Sequence, residues 1–287
     1  MNPVILSNDS GDHSWQVSFR PDRGMCCTSL RIDGREWLDP DTAPEYERRF
    51  AGLGALIGPH FHNRKDGKGR PIDELAAFPH TEILKAKGRS DPFPHGIGRY
   101  APWQWEQPEP HRLVATLSSE DEWQGYRLGD LEGYRFQLRY EAALSSDGLH
   151  LRLSGEADDP MVMGLHFYYR WFPGSRIHSF VQPEYNHAGS FEPLPTSWTS
   201  GGQLEITNPD DFDYGFLPFD GHSGTLEYLT PHGTLALHFE DPRRQAVSFQ
   251  IFRPAESSFV CLEPLSTRNP RALENKSADL SVAFRLS

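Results

Sequence analysis

No apolar run of about 18 residues occurs anywhere in the chain, so no helical membrane span is expected. The opening residues, MNPVILSNDSGDHSW, lack a basic patch and a long apolar core, so a secretion signal is not expected either. Runs of five or more like charges are missing too. With 28 basic against 40 acidic side chains the net charge is −12, which disfavours nucleic acid and anionic membrane surfaces as partners. Cysteine is scarce: Cys26, Cys27 and Cys261 make an odd number with two adjacent, which fits reduced thiols in a cytoplasmic protein better than a disulfide framework. A Walker-type loop, a G-x-G-x-x-G fingerprint, a G-x-S-x-G elbow and an H-E-x-x-H pair are all absent. Their absence argues against the usual nucleotide enzymes, α/β-hydrolases and signature zinc sites.

Helical periodicity is nearly absent as well. Ala43 to Phe50 offers the best candidate, at most one or two turns after Asp41 and Thr42. What the chain does have is 25 Gly and 24 Pro, dispersed rather than pooled in a linker. Between these breakers run alternating segments. Tyr134, Phe136, Leu138 and Tyr140 alternate with Arg135, Gln137 and Arg139, the period of a half-buried strand. Leu149, Leu151 and Leu153 repeat the pattern after Ser145-Ser146-Asp147-Gly148, so the two segments are expected to form a hairpin. Leu235 to Phe239, Phe249 to Ile251 and Leu280 to Leu286 alternate likewise. Many short strands with regular turns predict an all-β protein, a large antiparallel β-sandwich with few short helices, spanning residues 1–287 as a single domain. The less regular stretches Pro59–Trp105 and Phe172–Phe219 are expected to be elaborate loops over one face, where sites usually lie.

Four segments carry polar residues where a strand-forming sequence would hold apolar ones. They are Pro59–Arg64 (PHFHNR), Phe93–Arg99 (FPHGIGR), Gly164–Phe172 (GLHFYYRWF) and Phe259–Pro264 (FVCLEP). Glu263 follows four apolar residues, so desolvation should raise its pKa towards the range of a general base. Its alternative is a structural or solvent-facing carboxylate. His166 sits among aromatics, as a buried core histidine would. His95 precedes Gly96, which permits close backbone approach or positive φ, and Arg99 adds a forked donor for hydroxyls or a carboxylate. On a strand, His60 and His62 would face one way and could chelate a metal, with Glu82, His95 or His166 as further ligands.

In order, these segments resemble the aldose 1-epimerase family, the galactose mutarotase-like proteins. The resemblance rests on Asn63-Arg64, His95-Gly96-Ile97-Gly98-Arg99, His166-Phe167-Tyr168-Tyr169, Asp213-Tyr214-Gly215-Phe216 and Glu263-Pro264, and it covers nearly the whole chain. It implies a galactose mutarotase-like β-sandwich that interconverts sugar anomers without a cofactor or metal. By the same resemblance Glu263 is the catalytic base and His166 the acid. His95, Arg64, Asn63, Arg99 and Asp213 then bind the substrate, and Trp103 or Trp171 are candidates to stack on it.

The chemistry removes a proton from the anomeric hydroxyl while protonating the ring oxygen, so a carboxylate and an imidazolium suit it. A relative acting on hexose 6-phosphates would need a basic cluster, for which Arg64, Lys65, Lys68, Arg70, Arg89 and Arg99 are placed. The overall charge of −12 tilts the expectation to neutral sugars. A non-catalytic carbohydrate sensor on the same scaffold and a metal-dependent isomerase or lyase built on His60 and His62 are the competing classes.

Overall fold

The structure, a computed structural model, describes residues 2–64 and 67–287. It consists mainly of two large antiparallel sheets, one of eleven strands and one of ten among the described residues. The first runs from the edge strand Val4–Asn8 inward through Gly54–Ile57, Gly164–Arg170, Phe259–Leu265, Ser248–Arg253 and Phe212–Pro218. The second holds the expected hairpin: Phe136–Ser145 pairs with Gly148–Ala157, closing at Ser145↔Gly148. Its buried residues fall at every second position, as the sequence pattern requires.

One hydrophobic cluster joins the sheets, with Phe167 of the first stacked on Phe284 of the second and Phe249 set edge-on to Phe239. Burying each such ring contributes about 1.5–3 kcal/mol, so this interface carries most of the stabilisation. Val260 and Leu262, Leu165 and Phe167, and Phe249 and Ile251 all belong to it. Period two then dictates that His166, Tyr168, Cys261, Glu263, Gln250 and Phe252 occupy the opposite face of the same strands.

That outer face is covered by residues of the stretches 61–63 and 84–100, so both sides of the central strands are buried. The expected helix appears as Ala43–Arg49, stopped by Phe50 in the left-handed conformation. A second helix, His80–Ala86, was not expected. It begins after Pro79, with Glu82 in its first turn and Lys85 in its last, an arrangement that matches the helix dipole. Leu128–Glu132 adds one more turn. The stretch 172–219 corrects the expectation of loops: it contributes the strands Arg176–Ser179, Val181–His187, Ser190–Pro193, Gln203–Ile206 and Phe212–Pro218. No helix among the described residues is long and apolar enough to cross a membrane.

Candidate active site

Four neighbouring strands and the covering loops line a cavity of about 270 Å³. Register determines which residues meet there. Phe167 pairs with Leu262 and Gly164 with Leu265, which sets His166 directly beside Glu263. Gln250 pairs with Glu263 from the other side, and Asp213 with Phe252 one strand further on. His166 Nε2 lies 3.3 Å from Glu263 Oε1. Tyr168, two residues on, stacks on the His166 ring at 4.8 Å and 9°.

The pair is deeply buried, with Glu263 2% and His166 6% exposed. Burial pushes the Glu263 carboxyl well above the usual carboxylate range, Asp213 adds to the rise, and Arg99 opposes it. Burial likewise drives His166 well below the ordinary histidine value, with Arg99 adding to the fall. Burial thus favours the neutral form of each group over an ion pair. The sequence had indicated an imidazolium at His166; burial favours the neutral ring instead.

Arg99 is also buried, and its Nε–H donates to the Leu56 carbonyl at 2.7 Å. Its Nη2, His166 Nδ1 and Asn63 Oδ1 are buried polar atoms of cavity-lining residues with no hydrogen-bond partner among the described residues. Buried polar groups are almost always paired, so these three atoms retain unused hydrogen-bonding capacity beside the cavity. His95 lines the cavity with its ring edge-on to His166 at 5.2 Å. It adopts φ +69° and is followed by Gly96 at φ +89°. A β-carbon at position 96 would lie 2.1 Å from the Gly58 carbonyl oxygen, so only glycine lets the two loops approach this closely. Asp213 lines the outer rim and accepts a hydrogen bond from Gln250 Nε2–H.

Two groups of expected site residues are not brought here. Arg64 does not line this cavity. It borders a neighbouring groove, and its guanidinium reaches Asp91 and Glu132 at 3.5 Å each. Trp103 is packed beneath the loops, donating Nε1–H to the Gly98 carbonyl, and Trp171 stacks on Tyr228. The aromatic walls are instead Phe61, Tyr100, Tyr168 and Phe252.

The His60–His62 pair does not form a chelating face, because neither residue lies on a strand and His62 turns at φ +58°. His60 is held between Glu132 and Asp91, whereas His62 lines the cavity. Among the described residues the one trio with ligand atoms close together is His166, Cys261 and Glu263, within 4.8 Å of one another. Arg49, Lys87, Arg89, Arg99 and Arg271 also line the cavity, a positive setting that opposes a dication there.

Arg49, Lys87 and Arg271, with Gln250 and Phe252, are what sequence reading missed. Gln250 alternates with Phe249 and Ile251 and so reads as an ordinary solvent-facing strand residue. The cations come from three separated segments, and no local spacing links them. Of the basic cluster expected from sequence, Arg89 and Arg99 reach the cavity, while Lys65 lies outside the described residues.

No protein-family model matches the chain, and no curated protein does. Solved structures do match across its full length. A galactose mutarotase-like protein from Lactobacillus casei is 14% identical, with TM-score 0.70 and 100% of both chains covered. A protein from Escherichia coli K12, provisionally described as an aldose 1-epimerase, is 18% identical with TM-score 0.66, covering 100% of this chain and 99% of its own. An aldose epimerase homologue from C. elegans is 11% identical with TM-score 0.65, covering 100% and 98%. At such identities the likeness speaks for architecture: this chain has the fold shared by the aldose 1-epimerase and galactose mutarotase-like proteins.

Proposed function

We propose that the protein is a cofactor-independent aldose 1-epimerase, a mutarotase that opens and recloses the ring of a hexose or related aldose. The observation that carries this reading is the His166–Glu263 contact: two buried groups 3.3 Å apart, both shifted towards neutrality, in the wall of one cavity. A volume of about 270 Å³ lies just below the roughly 300–1,000 Å³ of drug-sized pockets, a scale suited to one sugar ring.

In the mechanism Glu263 acts as a carboxylate on the anomeric hydroxyl and His166 as an imidazolium on the ring oxygen. That charge state differs from the resting pair by transfer of one proton across the 3.3 Å contact, with no exchange with bulk water. The sugar's hydroxyls supply the hydrogen bonds that stabilise the separated charges. After ring opening, rotation about C1–C2 and reclosure, each group returns its proton, and the pair is again neutral. His95, Asn63 and Arg99 orient the ring, and Asp213 binds a hydroxyl at the rim. Arg64 has no direct contact role in this scheme.

Replacing Glu263 with Gln keeps the shape and removes the base. Anomer exchange, followed by proton exchange NMR across a panel of aldoses, is expected to fall by about 10²–10⁴-fold with the fold intact. Full rates in that variant would overturn the assignment. Saturable sugar binding without exchange in the parent chain would favour a non-catalytic sensor instead.

A second reading, a phosphorylated aldose such as a hexose 6-phosphate, is favoured by the cations at the cavity. Lys87 and Arg89 have no ion pair among the described residues, and Arg271 lies over the Phe61 ring. This local sign opposes the chain's overall −12 and the tilt to neutral sugars drawn from it. Arg89→Ala should then raise KM about tenfold for glucose 6-phosphate and leave glucose unchanged; equal effects on both would remove this reading.

All three cysteines are free and buried, which supports a reducing compartment such as the cytoplasm. A hydrophobic cluster running from Val4 to Phe284 supports a single domain over 1–287.

A further inference from the structure

Behind the cavity wall lies a second polar cluster that the proposed chemistry does not use. His60, Arg64, Asp91 and Glu132 have side chains 0–8% exposed. His60 donates from Nδ1 to Glu132 Oε1 at 2.6 Å and from Nε2 to Asp91 Oδ2 at 3.0 Å. The two carboxylates also accept backbone N–H groups. Asp91 takes those of Arg64 (2.8 Å) and Phe93 (3.0 Å), and Glu132 takes that of Ile97 (3.1 Å). Tyr134 donates its hydroxyl to Glu132 at 3.0 Å, and Arg64 donates to the Glu132 and Leu131 carbonyls.

The bonds tie together three stretches of chain: 58–64, 91–99 and 131–134. The first two meet again through their backbones, with His95 N–H donating to the His62 carbonyl and Gly58 N–H to the His95 carbonyl, both at 2.8 Å. At that junction His62 and His95 both hold positive φ, +58° and +69°, which non-glycine residues adopt only when their surroundings over-determine them. The consequence faces the cavity. The His62 backbone N–H donates to His95 Nδ1 at 3.4 Å, and the His95 ring stands against His166.

We infer that the buried quartet His60, Arg64, Asp91 and Glu132 is a positioning device that holds His95, and through it the His166–Glu263 pair, in working geometry. Its members touch no reacting atom and act through the two loops. The inference rests on the mutarotase reading for its kinetic consequence but not for its structural one. Glu132 is the hinge of the argument, because it alone bonds to His60, Arg64, Tyr134 and the Ile97 backbone two residues from His95.

Glu132→Gln keeps an acceptor for Ile97 N–H and removes the charge that His60 and Arg64 face. Two readouts on the full chain test it: the imidazole nitrogen resonances of His95 and His166, and kcat and KM for anomer exchange. The expected result is a folded protein with shifted His95 and His166 resonances and kcat reduced by about ten- to a hundredfold, the scale of a small misplacement at a reacting centre. Tyr134→Phe, which removes a single bond to the same carboxylate, should shift the same resonances less, and it carries the test if the Gln variant does not fold. Unchanged imidazole resonances with unchanged kcat and KM in a folded variant would overturn the proposal and leave the quartet a purely structural brace. A parent chain inactive on every aldose would sink the mutarotase reading alone, and the resonances would still decide the positioning role.

Discussion

Two buried histidine–glutamate contacts lie in one protein and behave in opposite ways. His60 and Glu132 touch at 2.6 Å, His166 and Glu263 at 3.3 Å, and all four side chains are almost wholly enclosed. For the first pair burial opposes charge on His60, but the charge of Glu132 and the hydrogen bond His60 donates to Asp91 raise it overall, and His60 and Arg64 together lower Glu132 against its own burial. That cluster is ionised and balanced, two cations against two anions. For the second pair burial wins on both partners, and Arg99 depresses His166 further. Distance alone does not make an ion pair. What separates them is the number of compensating partners: backbone N–H groups and a second carboxylate surround the first, while the second has a cavity on one side. A pair left short of partners can still move its proton, and that is the property a catalyst needs.

The largest effect should come from the under-compensated pair. If one proton serves both residues, Glu263→Gln and His166→Gln should each remove about 10²–10⁴-fold in exchange rate, and the double variant little more than either alone. Additive losses would mean that the two act separately. The rate should be highest between the lowered His166 value and the raised Glu263 value, where the pair holds one titrating proton. It should decline in acid as the pair gains a second proton and in alkali as it loses its only one.

Stability should rank the two contacts the other way. Glu132→Ala strands His60 and Arg64 without their counter-charge and should cost about 3–5 kcal/mol in chemical denaturation. Glu263→Gln removes a carboxyl that burial already disfavours, so its change should stay within about 1 kcal/mol. Equal costs would erase the distinction between brace and catalyst.

The smallest effect is the acid limb of stability. Burial would raise Asp91, but His60 and then Arg64 bring it from 3.8 down to about 2. A lowered folded value stabilises above the unfolded one and is lost as pH falls through the folded one. About 2 kcal/mol should therefore disappear between pH 4 and pH 2, and Asp91→Asn should flatten that limb. A limb that persists in the variant would place the acid sensitivity elsewhere.

Much of this was legible from residue patterns. Period-two alternation located the hairpin and the strands Gly233–Glu240, Ser248–Arg253 and Ser277–Leu286, because a strand with one face in the core has no freedom of register. Glu263 and His166 stood out because each is a polar residue among apolar neighbours, and the order of the segments around them resembles one family. The rest was hidden for physical reasons. Asn63-Arg64 read as one substrate-binding unit, yet Arg64 turns to Glu132, 68 residues away, and no local spacing encodes that pairing. His80–Ala86 is too short for periodicity to show, and the strands of 172–219 are interrupted by proline and glycine. The cations at the cavity converge only in three dimensions.

The placement of His166 and Glu263 on adjoining strands, opposite Phe167 and Leu262, has a further consequence. The inward residues that weld the sheets and the outward residues that line the cavity alternate along the same two backbones. A slip of one position between those strands would turn His166 and Glu263 into the hydrophobic interior and expose the interior to water. Under the proposed function, turnover of substrate would then double as a proofreading of assembly.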